Sequence, residues 1–349
     1  MKNRIAFLIK PKKFEIEFEN IKKLAKDYVL VKIFKTGVCG SDLHYFRHGG
    51  LGSFKSKMPL SMGHEASGVI VDSNNTKLKN YSKVIIDPLN LADCGDLKDI
   101  NMHICIKCLN KVNLCPTSRY LGSGSQEGTF REFIPLHISQ LTVCNDNKAF
   151  EYAQIFEPLG IAMYSVSQSR IDYAKKNKIM ILGSGTIGLL IAEVLKARNV
   201  KNVTVVDELD YRLQFAKKKL KTKITLAKDK NYFLDNKNSF DIIFDTVTNN
   251  WTFDVIPRLL NSTGKMVIVG IPSIDLIPIN PHLIRLKEIE IINVRRSNIK
   301  MHNVLEFYYD KGLNLKKYET HKFELNDIQK AFELSSGYLD QVIRCSVFS

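Results

Sequence analysis

In the first 150 residues the apolar positions come in short bursts: Tyr28–Lys35, Gly68–Asp72, Lys83–Asp87 and Phe130–Pro135. Each burst is rich in β-branched or aromatic residues and is closed off by Gly, Asn, Ser or Pro, which predicts strands and a mainly β half. From about Glu151 the texture changes. Short apolar runs at Lys178–Leu182, Asn202–Val206, Ile242–Asp245, Lys265–Gly270 and Ile289–Val294 alternate with helical patterns over Gly188–Ala197, Tyr211–Leu220 and Trp251–Leu260. Strands alternating with helices build βαβ units around a parallel sheet. Beyond Arg296 the pattern predicts a helix at Met301–Lys311, a strand at Thr320–Glu324, a helix at Asn326–Ser335 and a last strand at Gln341–Phe348. The fold class is therefore α/β, a mainly β domain joined to a doubly wound parallel-sheet domain, with no internal repeat and no low-complexity linker.

Composition narrows the function only a little. A chain of 349 residues suits about two domains. With 44% hydrophobic and 25% charged residues it is an ordinary globular sequence, which excludes disorder and collagen-like structure. The net charge of +15 would suit an anionic partner. However, the basic clusters, Lys10–Lys13, Lys175–Lys178 and Lys217–Lys219, are short, scattered and free of interleaved aromatics. They read as solvated surface, with no specific nucleic-acid partner. The opening MKNRIAFLIKPKK has too short an apolar run for an export signal. The longest apolar stretch, Ile179–Leu195, carries three glycines and Glu193, so no membrane span is expected. A cytoplasmic location follows as the expectation. Seven cysteines in that reducing setting point to metal or chemistry before disulfides.

The stretch Ile179-Met-Ile-Leu-Gly183-Ser-Gly185-Thr-Ile-Gly188 has G-x-G-x-x-G spacing directly after an apolar strand and at the start of a helical pattern. Gly183 permits the sharp turn, Gly185 lets backbone approach a pyrophosphate, and Gly188 lets helix pack on strand. Thr186 and Ile187 open the helix, whose N-terminal N–H groups attract phosphate. Asp207 closes the next apolar strand nineteen residues past Gly188, where a carboxylate reads the adenosine ribose and repels a 2′-phosphate. NAD is expected over NADP, although Arg212 could ease a 2′-phosphate.

Upstream, Cys39 in Thr36-Gly-Val-Cys-Gly-Ser-Asp-Leu-His-Tyr45 and the pair His64-Glu65 in Met62-Gly-His-Glu-Ala-Ser-Gly68 supply a thiolate, an imidazole and a carboxylate. Three such ligands leave the fourth tetrahedral position of a catalytic zinc open. A lone cysteine is usually core and a lone His-Glu pair usually surface; their occurrence together ahead of a dinucleotide motif changes that balance. Asp42 is a candidate acceptor for the imidazole of His64.

The string GVCGSDLHYFRHGGLGSFKSKMPLSMGHEASGVI, with Glu157-Pro-Leu and the glycine triplet, resembles the zinc-dependent medium-chain dehydrogenases, in particular the polyol branch that includes sorbitol (L-iditol) and L-idonate 5-dehydrogenases. The resemblance implies a GroES-like catalytic domain over 1–150, completed by 297–349, a Rossmann NAD-binding domain over 151–296, and a homodimer or homotetramer. It implies Cys39, His64 and Glu65 as ligands of a catalytic zinc, with Glu157 at or just outside the metal. Ser41 matches the family's proton-relay hydroxyl and His44 the group that passes the proton outward; a turn serine and a surface histidine are the plain alternatives. Tyr45 matches a position shaping the polyol pocket, and Arg296 a basic residue reaching toward substrate, with Arg295 leaving that register open.

Cys94, Cys105, Cys108 and Cys115 offer four thiolates in one loop, as a closed structural zinc requires. Their gaps of ten, two and six residues depart from the family's two, two and seven. Loop closure costs little extra for the longer gap, so a second zinc is expected, with free thiols as the alternative. Cys144 and Cys345 match no motif. A second departure replaces the usual Gly-Asp turn by Asn80-Tyr-Ser-Lys. The expected reaction is hydride transfer between NAD and a secondary hydroxyl of a polyol or sugar acid. L-threonine or simple alcohol dehydrogenation, or a non-catalytic zinc- and NAD-binding role, remain as alternatives.

Overall fold

A computed structural model describes residues 2–92, 108 and 111–349. The chain forms two compact units, Met1–Glu157 with Lys300–Ser349, and Pro158–Ile299. No helix among the described residues is long and apolar enough to cross a membrane.

The first unit is built mainly on antiparallel pairing, with Cys345–Phe348 and His321–Glu324 as a parallel pair. Among the described residues, its main sheet runs in the order Leu141–Val143, Lys83–Ile86, Glu65–Asp72, Tyr28–Gly37, Cys345–Phe348 and His321–Glu324, with Phe133–His137 also paired to Tyr28–Gly37. Val29, Val31, Ile33, Ala66, Ile70, Val84, Ile86 and Ile134 are buried on this sheet. Each of these valines and isoleucines contributes roughly 1.5–3 kcal/mol by leaving water. Two strands absent from the expectation above, Lys2–Lys10 and Lys13–Asn20, pair with each other. The second alternates Phe14, Ile16 and Phe18 with glutamates, a clear period of two. The first is apolar on both faces over Ile5–Leu8 and lacks that alternation.

Of the other elements that differ in extent from expectation, among them Glu65–Asp72 and Leu260–Ile268, three show the cause in their backbone. Pairing with Tyr28–Gly37 begins at Phe133 because the preceding backbone bonds elsewhere: Ala6 N–H donates to Phe130 O and Glu132 N–H to Arg4 O, both at 3.0 Å. The last strand starts at Cys345, since Tyr338, Asp340 and Gln341 all have φ near +50° and cannot continue a ladder. The helix over Tyr211–Leu220 is α-helical at Asp210–Phe215, then widens to a π turn at Ala216–Leu220. The turn at Asn80–Lys83 holds Tyr81 at φ +67°, with Asn80 Oδ1 accepting the Ser73 N–H at 2.7 Å.

The second unit carries a six-stranded parallel sheet in the order Lys223–Leu226, Val203–Asp207, Ile179–Leu182, Phe240–Asp245, Leu260–Ile268 and Glu290–Asn293. The sequence order reverses beside Ile179–Leu182, and ligands of doubly wound sheets bind outside the carboxyl ends of the strands at such a switch point. Met180, Leu182, Ile243, Ile256 and Leu259 form its core.

Candidate active site

The register of one strand pair assembles the candidate metal-binding side chains. Tyr28–Gly37 runs antiparallel to Glu65–Asp72 with Gly37 opposite Glu65, so the residues just beyond each strand end meet. Cys39 follows the first strand as N-cap of the helix Gly40–His48. The ligand atoms of Cys39, His64 and Glu65 lie within 4.8 Å of one another. Asp42 ties two of them: its Oδ2 accepts the Cys39 N–H at 3.0 Å, while its Oδ1 stands 3.6 Å from His64 Nδ1. With Nδ1 facing Asp42, Nε2 is the ring nitrogen left for a cation.

On the other side of Gly37 lies the last strand, with Ser346 opposite it. This brings Arg344, distant in sequence, to the same point. A Cβ on Gly37 would stand 1.9 Å from Arg344 Nη2, so the missing side chain is the space the guanidinium fills. Nη2 pairs with Glu65 Oε2 and donates to Gln154 O at 3.0 Å; both charged side chains are buried. Glu157 is also buried. Its Oε1 accepts the Tyr120 hydroxyl at 3.0 Å, and Oε2 has no hydrogen-bond partner among the described residues. The Tyr120 and His64 rings are 5.6 Å apart. Nothing in the sequence patterning marks Tyr120 or Arg344, because their roles arise only from contacts between residues distant in sequence.

The electrostatics call for a cation. Burial, reinforced by Glu65, pushes the Cys39 thiol up to about 11 and the Glu157 carboxyl up to about 7. Burial alone would depress His64, but the Asp42 carboxylate and Cys39 outweigh it and hold the ring well above its usual range. A thiol, an imidazole and two carboxylates lie close together, His64, Glu65 and Glu157 buried and Cys39 partly so, with Arg344 paired to Glu65. The orphaned Glu157 oxygen and the soft-plus-hard donor set fit a zinc ion, whose charge would reverse each of these shifts.

Asp87, whose carboxyl burial pushes up to about 6, yields a test of this electrostatic reading. An acid raised in the folded state binds its proton more tightly than the unfolded chain does, so stability falls as pH rises from about 3.8 through about 6. Asp87→Asn keeps an acceptor for the Leu89 N–H, bonded at 2.9 Å, but has no charge to bury. Urea unfolding across that pH range is expected to show the variant gaining on the wild type as pH rises. A constant gap between the two would contradict the assignment.

Ser41 and His44, three residues apart, lie on one side of the helix Gly40–His48 and are both half-buried. Burial, then the neighbouring Arg47 and His48, lower the His44 pKa, so its ring is neutral and able to accept a proton at neutral pH. Tyr45, one helical turn beyond Ser41, is buried in a core with Phe46, Leu60, Phe130 and Phe332. Cys108 and Cys115 are buried beside Leu91 and Val112, whereas Cys94 and Cys105 lie outside the described residues. Cys144 and Cys345 are buried free thiols.

In the second unit, Gly183 has φ +92° and a Cβ there would meet Thr246 Oγ1 at 2.4 Å; one on Gly188 would meet Gly183 O at 1.9 Å. Gly185 is different: among the described residues nothing but Arg212 Nη1, at 3.7 Å, approaches its vacant Cβ position. It is the N-cap of the helix Thr186–Ala197 and offers no side chain to the first N–H groups, including those of Thr186 and Ile187. Those donors and the open space above Gly185 suit a phosphate. Asp207 ends its strand beside this loop and accepts from Ser184. A cavity of about 280 Å³, lined by Glu208, Ala227, Lys228 and Trp251, opens past the ends of the two neighbouring strands; no motif announced it. Arg296 lies three residues past the strand Glu290–Asn293 at φ +58°, and Arg295 beside it is exposed.

Comparison with known proteins places both units. Residues 25–146 match the alcohol dehydrogenase GroES-like domain, and residues 186–309 match the zinc-binding dehydrogenase domain. The chain is 26% identical to a sorbitol dehydrogenase of Bacillus subtilis, covering 99% of this chain and 97% of that one. It is 27% identical to an L-idonate 5-dehydrogenase of Vitis vinifera over 96% of this chain and 92% of the relative. An Escherichia coli alcohol dehydrogenase solved in complex with NADH superposes with a TM-score of 0.86 at 25% identity, covering 100% of this chain and 99% of that one.

Proposed function

The chain belongs to the zinc-dependent medium-chain dehydrogenase family, and from that premise we propose that it oxidises a secondary alcohol of a polyol or sugar acid with NAD, giving a ketose or keto-acid. The observation that carries this reading is the convergence of Cys39, His64 and Glu65 within 4.8 Å in a chain that also carries the open glycine turn. When bound, zinc supplies Lewis acidity toward an alcohol oxygen and NAD supplies the hydride acceptor.

The chain's own residues do the rest. Cys39, His64 and Glu65 hold the metal, with Glu157 the fourth candidate ligand. Asp42 fixes the orientation of the His64 ring. Ser41 takes the hydroxyl proton of the substrate and His44, neutral at working pH, carries it outward along the same helix face. Tyr45 supports that helix from the core side, and Arg296 orients the far end of the substrate. Gly183, Gly185, Gly188, Thr186 and Ile187 cradle the pyrophosphate, Asp207 reads the adenosine ribose with Arg212 beside it, and the cavity at Trp251 takes the adenine. Relatives named for sorbitol and L-idonate support the polyol or sugar-acid class. Self-association through the edge strand Glu290–Asn293 is supported by the exposed Ile271, Ile274, Leu276 and Leu286 near it in sequence.

The test is a panel of polyols, aldonates and simple secondary alcohols with zinc-replete protein and NAD, followed by nicotinamide absorbance. Turnover is expected with vicinal polyols or aldonates. Its absence across the panel would sink the reading. Metal analysis on the same sample is expected to give two zinc ions per chain, the second held by Cys94, Cys105, Cys108 and Cys115; a single ion would leave those four without a metal.

A further inference from the structure

Asp207 is more fully engaged than a ribose-reading carboxylate needs to be. Its Oδ2 accepts both the Ser184 N–H at 2.6 Å and the Ser184 hydroxyl at 2.8 Å, and its Oδ1 accepts the Leu209 N–H at 2.9 Å. An ionised carboxylate offers about four lone-pair sites on its two oxygens. Three are used, which leaves one, on Oδ1. A ribose presents two adjacent hydroxyls, so one of them lacks an acceptor unless a resident donor leaves. The two backbone N–H groups belong to the glycine turn and to the start of the next helix and cannot turn away. The Ser184 hydroxyl is the only one of the three that can rotate.

Moving it has a cost, because Ser184 is completely buried and its hydroxyl would give up a bond to a charged acceptor. We infer that Ser184 is a positioning residue that competes with the adenosine ribose for Asp207 and so weakens coenzyme binding, favouring its release. This rests on the assignment of the glycine turn and Asp207 to the coenzyme, and goes beyond it by giving the buried serine between Gly183 and Gly185 a function of its own.

The chain carries a single tryptophan, Trp251, on the cavity beside Glu208, so quenching of its fluorescence reports coenzyme binding directly. Titration of NAD into the full-length protein is expected to show Ser184→Ala binding more tightly than wild type by roughly three- to tenfold, the worth of one hydrogen bond. NADH dissociation followed by stopped flow should slow by a similar factor. In an Asp207→Ala background the same substitution should change nothing, since the contested acceptor is gone. Ser184→Gly, which also lacks the hydroxyl, serves if the alanine variant folds poorly. Equal or weaker NAD binding by the hydroxyl-free variants overturns the inference, as does a gain that persists without Asp207. A folded wild type whose fluorescence responds to neither NAD nor NADP, with no binding by calorimetry, overturns the coenzyme assignment itself.

Discussion

Cys39→Ser is expected to give a folded protein that holds one zinc fewer per chain, turns over at least about a thousandfold more slowly, and binds coenzyme almost as wild type does. A serine hydroxyl is not deprotonated near neutral pH, so the strongest anionic donor of the cluster is lost. A metal that stabilises developing charge by several kcal/mol is lost with it, and ~4 kcal/mol corresponds to about three powers of ten in rate. The fold has no reason to suffer. Asp42 bonds the backbone N–H of residue 39, which the substitution retains. Serine is also a preferred residue at a helix N-cap, the position Cys39 occupies ahead of Gly40–His48. Zinc analysis, coenzyme titration and initial rates on one preparation separate the cases: full zinc occupancy with turnover intact would remove Cys39 from the site.

The parts of this site that the sequence made legible are those whose chemistry is local. Cys39 with Ser41 and Asp42, and His64 with Glu65, each sit within one turn or at one strand end, and the glycine triplet and Asp207 follow the ends of two consecutive parallel strands, where spacing alone fixes their relation. What could not be read is what the return of the last strand brings to that ligand set. Glu65 and Arg344 are 279 positions apart, and only the return of the last strand to Gly37 makes them neighbours. Gly37 itself shows no turn signal, since its lack of a side chain serves a guanidinium rather than a backbone angle. The helix Gly40–His48 was hidden for another reason: at nine residues, opening on glycine, it has little intrinsic helicity. It forms because Asp42 and Cys39 close a capping box and Tyr45 and Phe46 pack into the core.

Arg344→Met should show how far that unread pairing supports the metal site. Methionine approximates the volume but leaves Glu65 as a buried carboxylate without its cation, and breaking one side of a buried ion pair costs about 3–5 kcal/mol. In metal-free protein, urea unfolding is expected to show a loss of that order. Zinc should recover more stability in the variant than in wild type, because the metal then supplies the positive charge that Glu65 lacks. Glu65→Gln combined with Arg344→Met should restore much of the loss by removing both charges, leaving Gln154 O as the acceptor that lost a donor. Equal losses with and without zinc, together with a double variant no more stable than Arg344→Met, would mean that the guanidinium packs against Gly37 but does not balance the charge of the ligand cluster.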